Sequence, residues 1–169
     1  MPSVEFVPWR QISHWRCIGC GRCCKDYSVV LNFPEWLTIT QTFGAQTTAA
    51  GMDRFFIKRQ YDGTCSFLCN HAGTYLCSLQ NMKPNACKIW PFKVLAEPKY
   101  GQPNDAAFDY GGKKLYIYAD GNCSGLRYGS PAWEFSSVTL KEFAAIALGF
   151  CPEQHNSTRN SNSYGITRF

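Results

Sequence analysis

The stretch WRCIGCGRCCKDY, residues 15–27, places four cysteines within eight positions. Cys17, Cys20 and Cys23 follow one another with two residues between each pair, and Cys24 adjoins Cys23. A C-x2-C turn folds the backbone back so that two thiolates reach one ion. A third cysteine at the same interval extends that loop around a larger object. Zinc sites usually pair two separate knuckles of this kind, whereas successive x2 intervals are what cuboidal iron–sulfur clusters use. Neighbouring side chains of an extended backbone point to opposite sides. Cys23 and Cys24 are therefore expected not to share an ion: one is a non-ligand, or the pair straddles two sites.

Six further cysteines, Cys65, Cys69, Cys77, Cys87, Cys123 and Cys151, bring the total to ten. Disulfides would explain that count in a small secreted chain, but the N-terminal MPSVEFVPWRQISHW lacks the features of a secretory signal. At 169 residues the chain also needs no stapling. Metal ligation is the better account. A ferredoxin run would continue with x3-C-P, and the immediate Cys24 excludes that class. The net charge of +5 is scattered. Arg16, Arg22 and Lys25 flank the first cluster and Lys83 and Lys88 flank Cys87, an arrangement read as compensation of an anionic thiolate site. No basic run or nucleic-acid motif is present, so no nucleic-acid partner is expected. The longest apolar run, Phe143–Phe150, is too short for a transmembrane segment. The reading expects a soluble, cytoplasmic protein.

Three segments are expected: an aromatic N-terminal arm over 1–16, a metal-binding domain over 17–150 and a polar tail over 151–169. Tyr27–Phe33 reads as a strand. Pro34 opens a helix with Glu35 in its first turn and Gly44 at its end. Arg54–Gln60 reads as a strand, followed by an Asp62-Gly63 hairpin turn and then TCSFL. His71-Ala-Gly73 turns the chain so that Thr74–Ser78 pairs back, and Pro84 starts a short helical turn carrying Cys87. Phe92–Ala96, Ala106–Tyr110 and Lys114–Ala119 read as strands, the last two joined by Gly111-Gly112. Ser136 or Ser137 is expected to cap a helix with Leu140, Phe143, Ala144, Ala147 and Leu148 on one face and Gly149 after it. The fold class is α+β: a small single domain of short antiparallel strands with two or three helices around a Cys-rich metal site.

With the distal half added, the sequence resembles the CxxCxxCC family of zinc- or iron-chelating proteins, which also includes flagellin lysine N-methylase. The family's cysteine cluster corresponds to Cys17, Cys20, Cys23 and Cys24. Its G-x-C-x-F/L step corresponds to Gly63-Thr-Cys65-Ser-Phe67. Its C-x-I/V-Y-x-x-R-P-x-x-C-R-x-F/Y-P-F element corresponds to residues 77–92, from Cys77 through Cys87 to Phe92. Its terminal C-P-G is approximated by Cys123-Ser124-Gly125. The resemblance spans roughly 16–125. Lys83 and Lys88 stand where the family pattern has arginine, which keeps charge and loses forked hydrogen bonding. Gln80 stands for a tyrosine and Ser124 for a proline.

The resemblance implies eight metal ligands: Cys17, Cys20, Cys23, Cys24, Cys65, Cys77, Cys87 and Cys123. They would form two four-thiolate sites, or one cluster with spare thiols. The principal site is expected from the CxxCxxC loop closed by Cys87, leaving Cys24, Cys65, Cys77 and Cys123 for the rest. Cys69 and Cys151 fall outside the pattern. The expected cofactor is an iron–sulfur cluster of the 4Fe-4S type, in one site or two, with Zn2+ as the alternative. The expected role is structural or electron-transferring, as a subunit or accessory factor of a larger complex with a protein partner. A zinc-stabilised interaction module is the alternative, and an enzyme of the lysine methyl-transfer type is a third reading. No S-adenosylmethionine loop or nucleophile motif supports the last. His14 and His155 read as ordinary polar residues and His71 as a remote ligand candidate. Glu35, Asp26, Asp53 and Asp62 read as solvated carboxylates. Trp36, Trp90 and Trp133 read as core, and Trp9 and Trp15 as partner contacts.

Overall fold

The computed structural model describes residues 5–79, 82–152 and 154. In chain order the elements are β1 (Phe6–Pro8), β2 (Ile12–Trp15), α1 (Arg22–Lys25), β3 (Val30–Leu31), α2 (Phe33–Phe43), β4 (Thr48–Ala50), β5 (Phe55–Ile57), β6 (Leu68–His71) and β7 (Thr74–Cys77). There follow α3 (Asn85–Lys88), β8 (Phe92–Leu95), α4 (Pro103–Ala106), β9 (Ala107–Tyr110), β10 (Lys113–Asp120), β11 (Leu126–Tyr128) and α5 (Leu140–Ala147). The class is α+β, with small antiparallel sheets and two longer helices, α2 and α5. The chain divides into two compact units, Gly19–Lys88 and Met1–Ile18 with Ile89–Phe169. Among the described residues no helix is long and apolar enough to cross a membrane.

In the unit formed by the two ends, β10 is the central strand. It pairs antiparallel with β8, β1 and β9, and Gly111-Gly112 turns β9 into it as the sequence predicts. A second ladder joins β2 to β11, with a register shift between Arg127 and Tyr128. Leu115, Ile117 and Ala119 alternate along β10 onto one core with Phe92, Phe108 and Phe143. Trp9 and Trp15 belong to this core, contrary to their reading as partner contacts. Trp9 donates through Nε1 to the Ala107 carbonyl at 3.0 Å. Trp15 lies edge-on to Phe92 and Phe143. Trp15 ends a four-residue strand and Trp9 opens a 3-10 turn, elements too short to announce themselves, so both residues look unattached in sequence.

The last helix also differs from expectation. A π-helical turn, Phe135–Thr139, runs directly into α5. Ser136 therefore lies inside the helix and caps nothing; its hydroxyl donates back to the carbonyls of Ala132 and Trp133. The buried face holds Leu140, Phe143, Ala144, Ala145 and Ile146, while Ala147 is exposed. The helix turns its larger Ile146 inward in preference to a methyl group.

In Gly19–Lys88, α2 starts one residue from the predicted position. Asn32 Oδ1 accepts the Glu35 N–H at 2.8 Å and Glu35 Oε2 accepts the Asn32 N–H at 3.0 Å, a reciprocal capping box. That cap shortens the strand expected over Tyr27–Phe33 to Val30–Leu31, because Asn32 and Phe33 belong to the helix start. Gly44 ends α2. Strands β3, β5 and β4 form one sheet. The hairpin β6–β7 pairs from Leu68–Cys77 to His71–Thr74, as read from the turn. The Asp62-Gly63 turn closes only a single bridge, Arg59 to Cys65; TCSFL makes no full strand. Val29, Leu31, Ile39, Ile57, Phe67 and Leu79 form the core, together with Cys24 and Cys65. Trp36 stacks on Phe55 at 4.6 Å.

Candidate metal centre

The cysteine loop is shaped by two glycines in the left-handed region, Gly19 (φ 65°) and Gly21 (φ 72°). The Gly19 carbonyl accepts the Tyr75 N–H at 2.8 Å. A Cβ on Gly21 would stand 2.8 Å from both Cβ and Cγ of Tyr75, so the loop lies against β7 with no room for a side chain. The Gly21 carbonyl then accepts the Cys24 and Lys25 N–H groups at 2.9 and 3.0 Å and starts α1. Cys23 and Cys24 consequently sit on a helical turn and not on extended backbone. Their sulfurs are 3.9 Å apart. Thiolates at about 2.3 Å around a tetrahedral ion lie about 3.8 Å from one another, so the expectation that this pair cannot share an ion loses its geometric basis.

Distal segments are brought to α1 by main-chain bonds. The Cys65 N–H donates to the Cys24 carbonyl at 2.8 Å. The Arg59 guanidinium donates to the carbonyls of Lys25 and Gly63, holding the Asp62 turn in place. Cys77 ends β7 opposite Leu68, whereas Cys69 pairs with Leu76 and so points from the other face of the hairpin. Cys87 lies on α3, its N–H donating to the Pro84 carbonyl at 2.9 Å. The Asn85 N–H at the start of α3 donates to Glu35 Oε1 at 2.7 Å. Glu35, half-buried, bridges two helix starts beyond the solvated role expected of it.

Cys23, Cys24, Cys65, Cys77 and Cys87 act on one another electrostatically. Hydrogen bonding with Cys24 holds the Cys23 thiol below its ordinary value. Its contacts with Cys23 and Cys65 raise Cys24, and burial adds to the effect. Cys65 is lowered to about 7, first by hydrogen bonding with Cys24, then by the Phe67 backbone and the charge of Arg59. Burial pushes Cys77 and Cys87 up. Lys83, only 4% exposed, acts with its positive charge on Cys23, Cys77 and Cys87. The expected compensating charges are therefore Lys83 and, unannounced in sequence, Arg59. Arg22 pairs with Asp26 instead, and Lys25 lies over the Tyr75 ring at 3.5 Å.

Cys20 is partly buried within the glycine loop. Cys17 and Cys123 belong to the other unit and pack against its core, where Trp15 Nε1 donates to Cys123 Sγ at 3.4 Å. His14 and His71 are exposed. His155 and Gln80 lie outside the described residues. Among the described residues no group of three or more His, Cys, Asp or Glu side chains is placed to hold a metal ion.

A family model described as "CxxCxxCC: Putative zinc- or iron-chelating domain" matches residues 16–124. The chain belongs to the CxxCxxCC family. The span agrees with the resemblance read from the motifs and leaves Cys151 outside. No curated protein and no solved structure matches the chain significantly. The side chains gathered in Gly19–Lys88 fit the CxxCxxCC description in kind. Thiolates are the soft donors that both zinc and iron–sulfur clusters take, and two positive side chains offset their charge.

Proposed function

We propose that this chain binds metal through the thiolates of Cys23, Cys24, Cys65, Cys77 and Cys87. The bound group is an iron–sulfur cluster with a structural or electron-transfer role, and the chain serves as a subunit or accessory factor of a larger complex. Cys20 is a further candidate ligand in Gly19–Lys88, and Cys17 and Cys123 are candidates in the other unit. One observation supports the reading: Cys24 and Cys65 are buried in one core against which Cys23, Cys77 and Cys87 pack, so four chain segments supply the soft donors that both zinc and iron–sulfur clusters take. The triple x2 run adds the preference for a cluster. Zinc is the second reading, favoured by the 3.9 Å sulfur separation of Cys23 and Cys24. Iron, zinc and acid-labile sulfide measured on anaerobically purified protein decide between them. Iron with stoichiometric sulfide and a broad visible absorption is expected. A colourless protein holding one equivalent of zinc per site refutes the cluster, and a protein with neither metal refutes both.

A further inference from the structure

Four carboxylates are described in Gly19–Lys88: Asp26, Glu35, Asp53 and Asp62. Three of them act locally. Asp26 pairs with Arg22 four residues away, Asp53 with its neighbour Arg54, and Asp62 accepts from Thr64 in its own turn. Glu35 alone among these reaches across 50 residues, to the backbone of Asn85. α3 needs that bond. It is a single helical turn with free N–H groups at its start, and the residue before it, Pro84, has no side-chain acceptor to cap it. Glu35 serves both starts at once, Oε2 on Asn32 and Oε1 on Asn85. Cys87 lies two residues beyond Asn85, so the carboxylate fixes the segment that delivers this thiol.

We propose that Glu35 is a positioning residue for Cys87, borrowed from α2 to cap the helical turn that brings this thiol to the other four. It touches no thiol and holds no metal. The assignment rests on the metal-binding reading only for its purpose; the geometry it claims exists in the metal-free chain. With Glu35 present, α3 is closed and Cys87 faces Cys23, Cys65 and Cys77. Without it, α3 opens locally and Cys87 leaves that neighbourhood while β7, and with it Cys77, stays in place.

The test is residue-resolved alkylation of the metal-free protein by iodoacetamide, read by mass spectrometry as the rate at Cys87 relative to Cys77. Glu35→Ala is expected to raise that ratio about five-fold or more, the scale of one lost charge-assisted hydrogen bond. Glu35→Gln, which keeps one acceptor oxygen, restores most of the difference. Asn32→Ala is the control. It removes the other half of the same capping box and weakens α2, but leaves the Asn85 acceptor intact, so its ratio stays near that of the parent. An unchanged ratio in Glu35→Ala, or an equal rise in Asn32→Ala, overturns the proposal. Because the readout needs no metal, a chain that binds none still decides it. Where metal binds, Glu35→Ala loses it faster to a chelator than Asn32→Ala does.

Discussion

The packing of the cysteine loop on β7 can be tested with three glycine-to-alanine substitutions that share a backbone conformation and differ only in what surrounds them. Gly63 has φ 80° and nothing within 4 Å of a would-be Cβ. Gly63→Ala therefore reports the left-handed backbone alone, a cost of about 1–2 kcal/mol. Gly19 has φ 65° and a Cβ there would meet the Thr74 methyl at 2.8 Å; that methyl can rotate away, so the added cost is small. At Gly21, φ 72°, the obstacles are Cβ and Cγ of Tyr75, both at 2.8 Å. A Cβ is fixed to its backbone, so relief requires α1 and β7 to separate, at about 1–3 kcal/mol more. The expected order of destabilisation is Gly63→Ala, then Gly19→Ala, then Gly21→Ala at about 2–5 kcal/mol in total. Urea denaturation of the metal-free proteins gives the three values, and metal analysis of the loaded proteins gives the functional consequence. Only Gly21→Ala should lose metal, because only it moves Cys23 and Cys24 away from Cys65. If Gly21→Ala and Gly63→Ala agree within about 0.5 kcal/mol, or if Gly21→Ala keeps its metal, the loop is not held as argued.

Three other outcomes follow from the same structure. Lys83→Met keeps the buried volume and removes the charge that acts on Cys23, Cys77 and Cys87; metal retention in a chelator competition should fall by about tenfold or more, and retention equal to the parent counts against charge compensation. In the metal-free protein, Cys65 alkylation should rise with pH to half its maximum near the value of about 7, because the thiolate is the reacting form and its depressed value lets the proton leave early. Cys87, raised by burial, should still be gaining reactivity above the ordinary thiol range, and equal midpoints for the two would contradict the arrangement. Trp15→Ala should destabilise the protein by about 3–5 kcal/mol in thermal or urea unfolding, since Trp15 lies against Phe92 and Phe143; a loss below about 1 kcal/mol would return Trp15 to the surface.

What the sequence makes legible here is whatever a few neighbouring residues decide among themselves. Asn32, Pro34 and Glu35 begin α2, and His71–Gly73 and Gly111-Gly112 turn their hairpins, because each feature closes within a handful of residues. The cysteines show where that locality ends. The x2 spacing names the donors, but not the backbone on which they sit. Gly21 starts the helical turn on which Cys23 and Cys24 sit, and Tyr75, more than fifty positions away, leaves no room there for a side chain. Cys65 meets Cys24 through a main-chain bond that no side-chain pattern encodes, and Cys87 is delivered by a carboxylate on another helix. Trp9 and Trp15 were opaque for the same cause: a 3-10 turn after β1 and a four-residue strand are too short to show a period and gain meaning only beside β10 and β11. In this chain the donors are recognisable from their spacing, while their placement depends on residues outside the cysteine pattern. Here those residues are Gly21, Arg59 and Glu35, and substitutions at them, with every cysteine intact, should separate the donor list from the site it is meant to form.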